Sequence, residues 1–176
     1  MAYSGNLIPT MTSATAPSGV ASASGNYNAT YAEWKAFNHM NAVYADSWLN
    51  PAAAGQVGWL QYQFPTASIV TGYAVTSQND VASYQPKTWT FKGSNNGTTW
   101  VTLGTQTNVT DWAATPNVRK VFGFANATAY AYYRLDITAS NDGVHIGVGE
   151  LEMMTGAADA SAVPLMTDHY SRMRRG

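Results

Sequence analysis

An all-β fold, a sandwich or barrel made of many short strands, is what this 176-residue chain predicts. Between residues 57 and 154 short alternating or β-branched segments recur, separated by Gly, Asn, Asp or Pro. The polar composition is dominated by Thr, Ser, Asn and Gln, and 15 Gly accompany 6 Trp, 11 Tyr and 5 Phe, a palette of strands and turns. No repeat of 20 to 50 residues is present, which argues against propellers and solenoids and leaves one sandwich.

The strand segments run Gly58 to Phe64, Ile69 to Ser77, Thr88 to Ser94, Thr99 to Thr105, Val118 to Phe124, Ala131 to Ala139 and Val144 to Met154. Asn95-Asn96-Gly97 lies between two of them, where an Asn-Gly pair supplies the positive φ of a tight hairpin turn. One short helix is expected from Tyr31 to Phe37, capped by Thr30, with Trp34 and Phe37 on one face at i, i+3. Trp89 and Trp100 fall inside strand pattern and are expected in the core, whereas Tyr27, Tyr31, Trp34, Tyr44, Tyr84 and Trp112 fall in turn-rich sequence. From Thr155 to Gly176 the composition changes to a small-residue linker followed by Arg172, Arg174 and Arg175, either a solvated tail or an arm that docks on a neighbouring subunit.

Charge is scarce. Only 11% of residues are Asp, Glu, Lys or Arg, against about 25% in an average soluble domain. The net charge of −1 offers no clustered basic surface, so nucleic acid is not an expected partner. No apolar run is long enough for a membrane span, and no secretory signal is expected from Met1-Ala-Tyr-Ser-Gly-Asn6. The absence of Cys excludes disulfides and thiol chemistry. The three His show no helical metal-site spacing, and neither a nucleophile elbow nor a phosphate loop occurs, so catalysis is not expected. Asn-x-Thr triplets at Asn28, Asn96, Asn108 and Asn126 are turn chemistry rather than glycan acceptors.

The positive signal is aromatic. Uncharged sugars are held by stacking on rings and by hydrogen bonds from Asn, Asp, His and hydroxyl groups, so Tyr and Trp in loops are candidate contacts.

Ala21-Ser-Ala-Ser24, Ala36-Phe37-Asn38, Trp48, Trp59-Leu-Gln-Tyr-Gln-Phe64, Val70-Thr-Gly-Tyr73, Pro86-Lys-Thr-Trp-Thr-Phe91, Gly93-Ser-Asn-Asn-Gly-Thr-Thr-Trp100, Tyr133-Arg-Leu-Asp-Ile137 and Gly149-Glu-Leu-Glu152 follow one another in an order and spacing that resembles the discoidin, or coagulation factor V/VIII type C, domain, which includes carbohydrate-binding module family 32. The resemblance implies a jelly-roll β-sandwich, galactose-binding-domain-like, over residues 1–154, with 155–176 as linker and basic tail. It implies a non-catalytic module that binds ligands, usually glycans, through loops at one end.

The family's ligand loops correspond here to His39 and Tyr44, then Asn79, Asp80 and Tyr84, then Asn141, Asp142 and His145, with Trp34 as a further aromatic beside Lys35. The family's loop Arg has no counterpart between Ser77 and Tyr84. The family commonly carries a structural Ca2+, whose positions here are Asn38, Asn41, Asp46 and Glu150. Calcium takes six to eight oxygen ligands. Asn38 stands where the family has Asp and His39 where it has Gly; the alternative to calcium is a loop closed by Asn hydrogen bonds.

Asn6 to Gly19 also resembles the lead-in of such domains in bacteriophage tail and virion proteins. The expectation is a virion structural protein that contacts host-surface glycan, assembled in the host cytoplasm as part of a homo-oligomer. The other expectation is a virion decoration or assembly protein whose loops and tail contact other virion subunits without binding sugar.

Overall fold

Alternation of buried and open positions along the strands sorts them into facing sheets. A computed structural model describes residues 3–79, 84–112 and 115–156. The strands are β1 (Val20–Ala23), β2 (Trp48–Leu49), β3 (Gly58–Ser68), β4 (Gly72–Thr76), β5 (Pro86–Ser94), β6 (Val101–Gln106), β7 (Arg119–Gly123), β8 (Tyr130–Ser140), β9 (Gly147–Val148) and β10 (Glu150–Met154). A five-stranded sheet in the order β1-β3-β8-β5-β6 faces a three-stranded sheet β10-β4-β7, and a two-stranded ribbon β2-β9 closes one end. Pairing is antiparallel throughout. This is the all-β jelly-roll sandwich expected from the sequence. Among the described residues no helix is long and apolar enough to cross a membrane.

The period of two places Leu60, Tyr62 and Phe64 of β3, Trp89 and Phe91 of β5, and Tyr133, Leu135 and Ile137 of β8 on the inner face of the large sheet. Tyr73 and Val75 of β4 and Leu151 and Met153 of β10 meet them from the other side. Tyr73 stacks on Phe91 with ring centroids 4.2 Å apart and planes at 11°, and Trp89 Nε1 donates a 2.8 Å hydrogen bond to the Tyr73 hydroxyl. Burial pushes the pKa of that hydroxyl up, so it stays protonated. The N-terminal segment covers β10: Leu7 N donates to Met153 O at 2.8 Å and Ser4 N to Thr155 O at 2.7 Å, while Ile8 and Met11 are buried. The backbone remains tied to the sandwich through Gly156, whose N donates to Thr71 Oγ1 at 2.9 Å.

Several elements differ from the sequence expectation. The short helix is two 3-10 turns, Ala29–Tyr31 and Glu33–Phe37, separated by Ala32 in extended backbone, and the cap is Asn28, not Thr30. Asn28 Oδ1 accepts from Thr30 N at 2.8 Å, and this side-chain turn outcompetes a continuous α-helix over so few residues. The segment Val144 to Met154 is broken at Gly149 into β9 and β10, which pair with different sheets. The Asn-Gly segment does join β5 and β6, but as a wider loop. Gly97 alone has positive φ (71°) there, and Asn96 Oδ1 accepts from Thr98 N and Thr99 N at 3.0 and 2.8 Å. Trp89 is core, but Trp100 is only partly buried. It lies against the Arg134 guanidinium, 4.1 Å from the ring centroid, on the outer face of the large sheet. β1 and β2 were too short and too poor in β-branched residues to register as strand pattern.

Tyr73→Phe keeps the stack but strands the buried Trp89 N–H. Urea unfolding is expected to show a loss of about 1 to 3 kcal/mol.

Candidate functional site

The loops after β1, after β4, before β2 and between β8 and β9 all emerge at the end of the sandwich closed by the β2-β9 ribbon. Uncharged side chains hold them. Asn50, fully buried, accepts from Ile146 N at 2.6 Å through Oδ1 and donates through Nδ2 to Gly55 O. Asn141 Nδ2 donates to Gln85 O and Val109 O, both at 3.2 Å. Trp48 Nε1 donates to Gly25 O at 3.0 Å and Asn26 Oδ1 at 3.1 Å, which sets the segment carrying Tyr27. A Cβ on Gly147 would sit 2.1 Å from Gln78 Oε1, so the buried Gln78 side chain would have to shift to admit one. The Gly147 N–H donates to Tyr84 O at 2.8 Å, which ties Tyr84 to β9.

Asp142 is the anchor of the β8–β9 loop. Its carboxylate accepts from Ser140 Oγ at 2.7 Å, Val144 N at 2.9 Å and His145 N at 3.0 Å. Burial alone would raise its pKa, but these donors and the nearby His145 outweigh it and hold the pKa below the usual carboxylate value. His145 Nδ1 lies 3.6 Å from Asp142 Oδ2.

The result is a run of five rings drawn from three connections, Tyr27, Tyr31 and Tyr44 from that between β1 and β2, Tyr84 from that after β4 and His145 from that between β8 and β9. Tyr44 and Tyr31 lie 5.2 Å apart, Tyr31 and Tyr27 6.1 Å, Tyr27 and His145 6.2 Å, and His145 and Tyr84 5.2 Å, measured between centroids. Each successive pair meets edge to face. Tyr27, at the centre, is 49% exposed.

A second feature lies on the outer face of the small sheet. A cavity of about 260 Å³ is lined by Asn6, His39, Met40, Asn41, Glu150 and Glu152. His39 adopts left-handed backbone, φ 56°, where the resembled family has Gly. Its ring is fixed from both sides. Asn6 Oδ1 accepts from Ile8 N and Met153 N, so Asn6 Nδ2 is the donor to His39 Nε2 at 2.9 Å, and His39 Nδ1–H donates to Thr10 Oγ1 at 3.1 Å. These bonds offset the backbone cost of a side chain at positive φ.

The 38–46 loop is closed by its own side chains. Asn38 Oδ1 accepts from Met40 N at 2.8 Å, and Asp46 Oδ2 accepts from Ala42 N and Val43 N at 3.1 Å. Glu150 is 7% exposed; its Oε1 accepts from Met40 N at 2.9 Å. Glu150 Oε2 and Asn41 Oδ1 are buried without a hydrogen-bond partner. Burial pushes the Glu150 carboxyl up to about 8 despite backbone donors from Met40 and His39, and the charges of Glu152 and Asp46 act in the same direction. Among the described residues no three His, Cys, Asp or Glu side chains converge. The two unpartnered oxygens, Glu150 Oε2 and Asn41 Oδ1, are a carboxylate and an amide oxygen, ligand types that calcium accepts.

Of the sequence-predicted ligand residues, Tyr44, Tyr84 and His145 are brought together, and Asp142 and Asn141 position their loops. Asn79 Nδ2 donates to Ala42 O and so ties two loops together. His39 lines the separate cavity. Trp34 packs partly buried against the core with Lys35 Nζ 5.7 Å from its ring centroid. It makes no ring contact with the row among those described. Asp80 lies outside the described residues. Asn38, Asn41, Asp46 and Glu150, the predicted calcium set, all bear on the 38–46 loop. Tyr27 and Tyr31 were visible as loop aromatics, whereas nothing in the sequence marked Asn50, whose role depends on a partner 96 residues away.

The described strands form an all-β, antiparallel jelly-roll sandwich. Among solved structures the chain is similar to chitosan-binding module 1 of a chitosanase/glucanase from Paenibacillus sp. IK-5, at 18% identity, covering 86% of this chain and 98% of that one, with a TM-score of 0.63. It is similar to the family 32 carbohydrate-binding module of C. perfringens NanJ, solved with galactose, at 15% identity, 78% and 93% coverage and a TM-score of 0.64. It also resembles the lectin domain of Lectinolysin complexed with Lewis B antigen, at 15% identity, 83% and 99% coverage and a TM-score of 0.63. These likenesses establish a shared fold. No family model and no curated protein matches the chain.

Asp142→Asn removes the charge that three donors point at, and at pH 7 it is expected to lower stability by about 1 to 2 kcal/mol. Because the folded-state pKa is lowered, this stabilisation is present above the ordinary carboxylate value and lost as pH falls through the folded one. The gap between wild type and variant in urea melts should therefore close as the medium is acidified.

Proposed function

We propose that this protein is a non-enzymatic carbohydrate-binding module that takes neutral glycan on the ring row Tyr44, Tyr31, Tyr27, His145 and Tyr84. The row itself carries the reading: contiguous rings on loops are what a sugar's C–H faces stack on, with the ring hydroxyls and the imidazole able to hydrogen-bond at their margins. Asp142, the carboxylate beside His145, is engaged by three donors. The similar solved modules from Paenibacillus sp. IK-5 and C. perfringens support sugar as the ligand class. The test is a glycan array that includes lipopolysaccharide and cell-wall polysaccharide, probed with wild type, Tyr27→Ala and Tyr84→Ala. Specific wild-type signals that fall at least tenfold in both variants are expected. An array silent for folded wild type overturns sugar binding and favours an assembly role for this end.

Calcium is part of the proposal. Glu150 and Asn41 would hold it with their unpartnered oxygens, and Asp46 adds the second negative charge near Glu150. The ion would supply the positive charge that the buried carboxylate lacks and rigidify the 38–46 loop from which Tyr44 projects. Calcium at a hundredfold over its Kd is expected to raise the melting midpoint by about 5 to 10 °C relative to chelator. Glu150→Gln should abolish the shift, and an unshifted wild-type midpoint would remove calcium from the account.

Placement on a bacteriophage particle as a host-attachment component, within a homo-oligomeric assembly, is supported by the resemblance of Asn6 to Gly19 to virion lead-in segments. Peptide mapping of whole particles tests it, and absence of the chain from them overturns it.

A further inference from the structure

Five rings in successive contact offer more surface than one sugar can cover. The centroid steps of 5.2, 6.1, 6.2 and 5.2 Å along Tyr44, Tyr31, Tyr27, His145 and Tyr84 are each comparable to the length of one pyranose ring. The planes turn by 64°, 71°, 69° and 61° from one ring to the next. A flat crystalline polymer needs coplanar rings to lie on; a staircase of turned rings offers its faces in changing directions, as a twisted soluble chain requires. The row also spans three connections of the sandwich, each with its own anchors. Tyr27 is held by its N–H to Leu49 O at 2.8 Å, Tyr44 O accepts from Ser47 Oγ at 2.6 Å, and Tyr84 and His145 are pinned through Gly147 and Asp142. Ordering entropy is thus already spent before a ligand arrives, and a long contact gains from that preorganisation.

Charge narrows the ligand. No Lys or Arg belongs to the row. Lys35, in the neighbouring 3-10 turn, directs its Nζ to Ala45 O at 2.8 Å. A uronic or sulfated chain would meet no Lys or Arg among the rings and would be repelled by Asp142 beside His145.

We infer that the row binds a neutral, soluble polysaccharide along several consecutive residues rather than a single terminal sugar. This rests on the sugar-binding reading above and goes on to specify length, neutrality and solubility. Central Tyr27 contributes to every bound length, while Tyr44 and Tyr84 at the two ends contribute only once the chain is long enough to reach them.

Calorimetric titration with ladders of one to six residues tests this, using β-1,4-linked glucose, N-acetylglucosamine and mannose oligomers, α-1,4-linked galacturonate oligomers as the charged arm, and pull-down on crystalline cellulose and chitin. With at least one neutral ladder, affinity should rise roughly threefold to tenfold per added sugar through the fourth residue, the range into which about 0.7 to 1.4 kcal/mol per ring contact converts. Tyr44→Ala and Tyr84→Ala should each flatten the climb at a shorter length than in the wild type. Affinity that is already full with one residue overturns the extended site but leaves sugar binding standing. Preference for galacturonate overturns neutrality, and preference for the crystalline polymers overturns the soluble chain. Failure of wild type to bind any length, any array glycan or either crystalline polymer overturns both readings together. Because the wild-type ladder decides length by itself, a variant that failed to fold would not blunt the test.

Discussion

The contact between Tyr73 and the Trp89–Phe91 pair is the interaction on which the sandwich depends. β4 lies at the centre of the small sheet and β5 inside the large one, so a bond between them joins the layers at their middle. Tyr73 does this twice, with its ring face on Phe91 and its hydroxyl under the Trp89 indole N–H. The first contact is non-directional and the second fixes which way the rings face. Phe122, the cross-strand partner of Tyr73 on β7, extends the stack at 5.2 Å, and Tyr133 extends it along β8 at 5.8 Å from Phe91. With the layers locked at the centre, the strand ends are free to carry loops whose shape owes little to the core.

Those loops face a different constraint. Backbone groups in irregular segments must be satisfied, and this chain has few charged side chains with which to do it. Amides, hydroxyls and single carboxylates take the work: Asn50 on Ile146 and Gly55, Asn141 on three carbonyls, Asp142 on its own loop, Asp46 on Ala42 and Val43. Each of these polar side chains is used up in building the end of the sandwich. Over these pins Tyr27 is exposed and Tyr31, Tyr44, Tyr84 and His145 are part-exposed, and the five rings meet in successive edge-to-face pairs.

Most of the fold was legible because the inward residues of β3, β5 and β8 alternate cleanly, and because Pro86 to Phe91 and Gly93 to Trp100 keep the spacing of a known sandwich family. The misses have local causes. Trp100 sits in strand-like sequence yet faces outward, because the β5–β6 loop runs through Trp100 and β6 starts only at Val101, so the indole meets Arg134 instead of the core. The helix was lost to an Asn side chain two residues from the N–H it captures. At the site, loop aromatics were visible as types but not as a row, since the adjacency of Tyr27 and His145 requires a pairing between β2 and β9 only two residues long. His39 and Tyr44, close in sequence, part company because the left-handed turn at His39 sends its ring toward Asn6 and Thr10 and away from the rings.

Where the scarce charge goes explains why the two candidate features differ in chemistry. On the sheet faces Lys92 and Arg134 share Asp136, Arg119 grips Glu152 through two nitrogens, and Lys120 meets Asp111. Glu150 stands apart from this pattern. It is buried, its Oε2 has no partner, and the charges that bear on it are negative. A desolvated carboxylate in that position is a standing cost to the metal-free fold, since it must either take up a proton or find a cation. At the ring row, among the described residues, Lys35 Nζ is turned to Ala45 O and the Asp142 carboxylate is engaged by three donors. Contact there depends on shape and on stacked faces, and salt that screens ionic recognition leaves such contact untouched. The loop end of this weakly charged sandwich thus relies on uncharged contacts, while the neighbouring sheet face holds Glu150, a carboxyl that burial keeps protonated to about pH 8.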